Sequence, residues 1–155
     1  MTHWRRAEAS DSESIVAMCL ELYAEDPGVR PVDAADVRRT LETLSAEPAR
    51  GSAVVLDADG HCAGYALLVS FWSNELGGEI CVIDELYVEP AARGNGHATE
   101  LLRALSSGVG PVQRRVVALE LESTPSNQRA RSLYLRVGFK AKRNTTLRLV
   151  LAASK

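Results

Sequence analysis

The sequence predicts a single α+β domain, a mostly antiparallel sheet with about four helices on its faces. Three observations carry this. The chain has 155 residues, 46% of them hydrophobic and 25% charged, which is the size and composition of one globular domain with a proper core. Strand-like runs follow one another through short turns, as hairpins do, instead of alternating strictly with helices. Between Val88 and Leu101 a strand stops at Pro90, turns at Gly94 and Gly96 and continues as an amphipathic helix.

His3 to Ala7 reads as a short first strand. Ser10 with Glu13 matches a capping box, and Ile15, Met18, Cys19, Leu22 and Tyr23 then repeat at helical spacing until Asp26-Pro27-Gly28. A second helix is expected from Asp33 to Ser45, with Val37, Leu41 and Leu44 on one face. Ser52 to Leu56 and Cys62 to Trp72 form a hairpin around Asp57-Ala58-Asp59-Gly60. After a polar loop from Ser73 to Gly78 come a strand from Ile80 to Val88, the glycine turn and a helix to about Ser106. Val116 to Glu122 reads as a strand and Ser126 to Val137 as a helix closed by Gly138. Phe139 to Lys142 and Thr145 to Leu151 predict a final antiparallel pair.

The net charge of -2 argues against a nucleic-acid partner. Its distribution is uneven: six acids and no bases from Ala7 to Asp26, seven bases and no acids from Asn127 to Val150. Solvated faces explain most of these charges. The sharper reading is an acidic surface for a cationic substrate and a basic one for an anionic ligand. Cys19, Cys62 and Cys81 lack metal-ligand spacing and sit among apolar neighbours, as reduced thiols do, and His3, His61 and His97 are scattered. No metal is expected, and no membrane partner, since no apolar run has spanning length and no signal-peptide core is present. The expected location is cytoplasmic.

The glycine turn carries the most chemistry. A helix N-terminus offers free N–H donors and a partial positive charge, and it holds phosphate well. Arg93 adds a cation beside it. No Gly-Lys-Ser/Thr follows, which excludes a nucleotide-hydrolysing loop, and Gly94, Gly96 and Thr99 fall short of the three-glycine dinucleotide fingerprint.

Arg93-x-x-Gly96-x-Ala98, set between a strand and a leucine-rich helix, resembles the acetyl-CoA signature of the GNAT superfamily of N-acetyltransferases. Asn127, Ala130, Leu133-Tyr134 and Gly138-Phe139 resemble that superfamily's second motif, in the right order and separation. The resemblance spans essentially the whole chain. Ile83-Asp84-Glu85-Leu86-Tyr87-Val88 and Asn127-Gln128-Arg129-Ala130 are similar to the spermidine/spermine and thialysine branch, whose pattern bacterial members of unassigned substrate share. The resemblance implies a sheet splayed between its fourth and fifth strands, acetyl-CoA as the acetyl donor, and a homodimer as the default assembly.

On that resemblance, the strand end Leu86-Tyr87-Val88 offers main-chain groups to the pantetheine arm. Amides of Arg93, Gly94, Asn95, Gly96, His97 and Ala98 hold the pyrophosphate, and Asn127 touches the cofactor near its pantetheine end. Tyr134 is the expected general acid, since a phenol is still protonated at neutral pH; the plainer reading is a buried tyrosine, and both can hold at once. Asp84 or Glu85 is the expected base, with Glu120 and Glu122 more readily explained as ion pairs. Strict alternation puts Asp84 with Leu86 and Val88, and Glu85 with Ile83 and Tyr87. Phe71 and Trp72 line an acceptor pocket or simply pack, and Glu25 adds cation attraction. The implied reaction is acetyl transfer to a primary amine of a small molecule, such as a polyamine, amino acid or aminoglycoside-like compound. A protein or peptide acceptor, or a non-catalytic acetyl-CoA sensor, are the alternatives.

Overall fold

The computed structural model describes residues 1–151. Five strands, Thr2–Arg6 (β1), Gly51–Ala58 (β2), His61–Ser73 (β3), Gly78–Val88 (β4) and Ala118–Leu121 (β5), form one sheet in sequence order. The first four are antiparallel neighbours, and β5 joins β4 in parallel. Helices Ser12–Glu25 (α1) and Ala34–Ala46 (α2) cover one face; His97–Ser107 (α3) and Gln128–Val137 (α4) cover the other.

Alternation along the strands splits the core into two layers. Val54, Leu56, Ala66 and Leu68 meet Leu101, Leu102 and Leu105 of α3, while Val55, Tyr65, Leu67 and Tyr87 meet Ile15, Met18 and Cys19 of α1. The β2–β3 turn is tighter than the sequence suggests. Ala58 pairs with His61, and Asp59 and Gly60 both take positive φ (54° and 88°), as a two-residue hairpin requires.

Several elements depart from expectation. The helix α1 does not start on a Ser10–Glu13 box. A 3-10 turn at Ala9–Asp11 precedes it, and the Asp11 carboxylate accepts from the Glu8 amide at 2.7 Å while also holding Arg5 at 2.7 and 2.9 Å. This ion pair fixes the entry to α1 one step earlier. The final strand pair is not formed among the described residues: Phe139 to Leu151 is irregular, and Leu147, Leu149 and Leu151 are exposed. The sheet edge next to this segment is only the four residues of β5, and the bases Lys140, Lys142 and Arg143 bring no acids of their own with which to pair across strands.

The register of β4 is also interrupted. Leu67 faces Glu85 and Leu68 faces Ile83, so Asp84 is a bulge without a partner. Ile83 therefore packs on the α3 side with Leu86 and Val88, while Glu85 and Tyr87 turn toward α1. The alternation read from the sequence places Ile83 with Glu85; the extra residue reverses that.

Candidate active site

The pairing of β4 with β5 runs only from Ile80 to Ile83. From there to Val88 the strand pairs with β3 alone, so the main chain of its other edge borders a cavity. Gly64 keeps β3 tight behind this segment, for a Cβ there would stand 2.7 Å from the Tyr87 carbonyl oxygen. After a 3-10 turn at Pro90–Ala92, Gly94 and Gly96 adopt φ of 85° and 84°, and α3 begins at His97. Only glycine holds this left-handed pair without strain. A Cβ on either would meet no atom within 4 Å, so conformation, not room inside the fold, demands glycine here.

Among the described residues, the amides from Gly94 to Thr99 have no acceptor; the first helical bond is Glu100 N–H to the Gly96 carbonyl at 2.9 Å. All of these residues but Asn95 line a cavity of about 310 Å³ whose walls also include Leu86 and Val88 of β4 and Asn127, Leu133 and Tyr134 of α4. Asn127 also caps α4, its Oδ1 accepting from the Ala130 amide at 3.2 Å. Ala98 and His97 line the same cavity. The His97 carbonyl takes a bond from Trp4 Nε1 at 2.9 Å, tying β1 to the helix start. Asn95 points outward and braces the turn, with Nδ2 donating to the Ala92 carbonyl at 3.2 Å.

Arg93 is placed differently from expectation. Its Nε donates to the Val88 carbonyl at 2.7 Å, and its guanidinium grips the Glu25 carboxylate at 2.8 and 3.0 Å while lying 5.2 Å from the centre of the Tyr87 ring. The side chain straps the turn to α1, and its charge is already matched. Positive potential at the turn therefore comes from main-chain amides and the helix end. Glu25, expected beside an acceptor, sits in the wall of this first cavity. Phe71 and Trp72 are exposed and pair with Ile80 and Glu79. They lie at the far end of β4, roughly 25 Å of strand from Val88. The hairpin register, invisible to a composition-based reading, carries them away from both cavities.

Tyr134 is half-buried, packed against Phe139 with ring centres 5.9 Å apart. Burial pushes its phenol above the ordinary value, so it keeps its proton at neutral pH.

A second cavity of about 580 Å³ lies on the α1 side of β4, lined by Asp84, Glu85, Glu122, Cys19, Tyr23 and Arg148, among others. Glu85 accepts from Tyr23 Oη at 2.8 Å, from Tyr65 Oη at 2.8 Å and from the Cys19 thiol at 3.6 Å. Burial and this carboxylate together push all three donors upward in pKa, the Cys19 thiol to about 12, so they stay protonated and remain donors. Asp84 carries no such bonds. Although exposed to solvent at its bulge, it is desolvated by the cavity walls, which raise its pKa; Arg148 opposes the rise and Glu122 adds to it. Glu120 pairs with Lys142 Nζ at 3.0 Å. The end of α1 is a shared wall, for Leu22 and Glu25 face the first cavity and Cys19 and Tyr23 the second.

The donors to Glu85 were hidden in the sequence because Cys19, Tyr23 and Tyr65 read as apolar core positions. The one available signal was Tyr23 four residues after Cys19, on the same helix face.

A model of the acetyltransferase (GNAT) family matches residues 16–139. No curated protein matches the chain. An integron cassette protein from the mobile metagenome of Cole Harbour Salt Marsh is 25% identical, with a TM-score of 0.73 over 98% of this chain and 92% of that one. A possible acetyltransferase from Clostridium difficile 630 shares 17% identity and a TM-score of 0.80 over 98% and 99% of the two chains. A predicted acetyltransferase with acetyl-CoA from Clostridium acetobutylicum shares 19% identity and a TM-score of 0.71 over 97% and 96%.

Proposed function

The chain belongs to the GNAT family of acetyltransferases, and from that premise we propose that it moves an acetyl group from acetyl-CoA directly to a primary amine of a small cationic molecule, a polyamine-like compound before an amino acid or an aminoglycoside. One observation carries the reading: Gly94, Gly96, His97, Ala98 and Thr99, whose amides are unbonded, line the cavity that Tyr134 also lines. A diphosphate supplies acceptors for such a run of donors, and the open edge of β4 offers further main-chain groups to an amide-bearing arm.

When bound, acetyl-CoA supplies an acyl group activated as a thioester. The chain's own residues then do four things. Main-chain groups of Leu86 and Val88 and the amides of the turn orient the donor, which converts encounter into alignment. Glu85, held by three donors, is a fixed negative charge that attracts and orients an ammonium. Asp84, free of hydrogen bonds and raised in pKa, takes the ammonium proton and leaves a neutral nucleophile. Tyr134 Oη would give its proton to the sulfur as the C–N bond forms and the C–S bond breaks, and would regain one from the proton that the new amide nitrogen sheds. The acids Asp36, Asp84, Glu85 and Glu122 against Arg30 and Arg148 favour a cationic acceptor over a neutral one.

Thiol release from acetyl-CoA, followed with a panel of polyamines, amino acids, aminoglycosides and peptides, tests the reading. Turnover is expected with the di- and polyamines first. Turnover only with peptides would transfer the activity to a protein acceptor. Binding of acetyl-CoA without thiol release would make the chain a sensor.

A further inference from the structure

Two arginines of α4 are unused by this mechanism. Arg129 and Arg136 stand seven residues apart, two helical turns or roughly 10 Å, on the stripe that Leu133 shares, and all three line the first cavity. Both are exposed and neither forms an ion pair among the described residues. The other full charges in that cavity wall, Arg93 and Glu25, neutralise one another at 2.8 Å. The cavity therefore carries two uncompensated positive charges on its α4 wall, in addition to the turn whose amides already suit a diphosphate. A helix with merely solvated arginines would not need them on its cavity face. Arg131, equally exposed and on the same helix, does not line the cavity.

We infer that Arg129 and Arg136 form a second anion subsite, which takes a phosphate monoester carried outside the diphosphate: the 3′-phosphate of the coenzyme's ribose. The inference rests on the reading of the cavity as an acetyl-CoA site. Guanidinium forks suit a terminal phosphate, which exposes three oxygens, better than they suit a bridging one. The subsite makes the chain select coenzyme A over the same molecule without that phosphate.

Titration calorimetry with coenzyme A and with 3′-dephospho-coenzyme A tests this directly. The unaltered protein is expected to bind coenzyme A roughly tenfold more tightly, a ratio that narrows as salt is raised. The double variant Arg129→Gln/Arg136→Gln is expected to lose that ratio while holding its affinity for the dephospho form within about twofold. Arg131→Gln, which removes one positive charge from the other side of α4, is expected to change neither constant. Equal affinity of the unaltered protein for both compounds overturns the subsite and leaves the acetyl-CoA reading standing. So does an equal loss for both compounds in the double variant, which would assign the arginines to the diphosphate. Binding of neither compound overturns both readings.

Discussion

In the proposed reaction Tyr134 gives a proton and Asp84 takes one, and burial raises the pKa of both groups. Burial keeps the phenol protonated, so Tyr134→Phe is expected to lower kcat by roughly 10²-fold with little change in acetyl-CoA affinity; calorimetry beside steady-state rates separates the two effects. For Asp84 the sign is fixed by its desolvation. A raised pKa means the carboxylate is lost, as pH falls, at a higher pH than the usual carboxylate value of about 3.9. The acid limb of the rate profile is accordingly expected above that value, and Asp84→Asn lowers the rate and abolishes the limb. A limb unchanged in the variant would remove Asp84 from the mechanism. Tyr134 was legible in the sequence because a motif and a helix register both fix its position. Glu25, Phe71 and Trp72 were not, because their roles depend on which end of a strand, and which partner, the fold gives them.

In the proposed reading the turn from Arg93 to Ala98 is the element on which binding depends. Gly96 sits at φ 84° with open space around it, so Gly96→Ala tests backbone conformation alone and is expected to cost about 1 kcal/mol of stability, read by denaturant unfolding. Gly96→Asp adds charge among the donors and is expected to weaken coenzyme A binding by more than roughly tenfold. The α2 helix supplies a control far from chemistry. Asp33 accepts from the Asp36 amide at 2.9 Å as its N-cap, and Asp33→Ala is expected to lower stability by about 1 kcal/mol without altering turnover. Elements with a clear period or a glycine stop were legible from residue patterns: four helices, the β2–β3 hairpin and the strand before the turn. The bulge at Asp84 was not. It arises from pairing with β3, and one chain's pattern does not disclose where a neighbour skips a residue.

At the scale of the molecule, two core layers clamp the sheet, and α1 joins the two cavities through its last turns. Tyr23–Glu85, Tyr87–Glu21 and Arg93–Glu25 link that helix to β4 and the turn. The opposite end is pinned by Arg5, which bridges Asp11 and Asp57. Arg5 holds both carboxyls below their ordinary values. Their contribution to stability is thus present above the unfolded carboxylate value, about 3.9, and is lost as pH falls through the lower folded values. Asp11→Asn is expected to destabilise the protein by about 1–2 kcal/mol at neutral pH, the figure allowing for solvent screening of the partly exposed guanidinium. It should also show a shallower loss of stability in acid than the unaltered protein, as thermal unfolding across pH would report. The α+β class and the five strands along the chain were readable in advance, because hairpin turns and helical periods are local. The closing strand pair was misread because alternation at Leu147, Leu149 and Leu151 supplies a pattern but not a partner edge.

The central claim is that main-chain amides of the glycine turn hold the donor's diphosphate beside Tyr134. Amide proton–nitrogen correlation spectra, recorded while coenzyme A is added, test it at the atoms concerned. The resonances of Gly94 through Thr99 are expected to move together and to saturate at one equivalent, with smaller shifts at Leu86 and Val88. Shifts confined to other segments, or none at saturating coenzyme A, would contradict it.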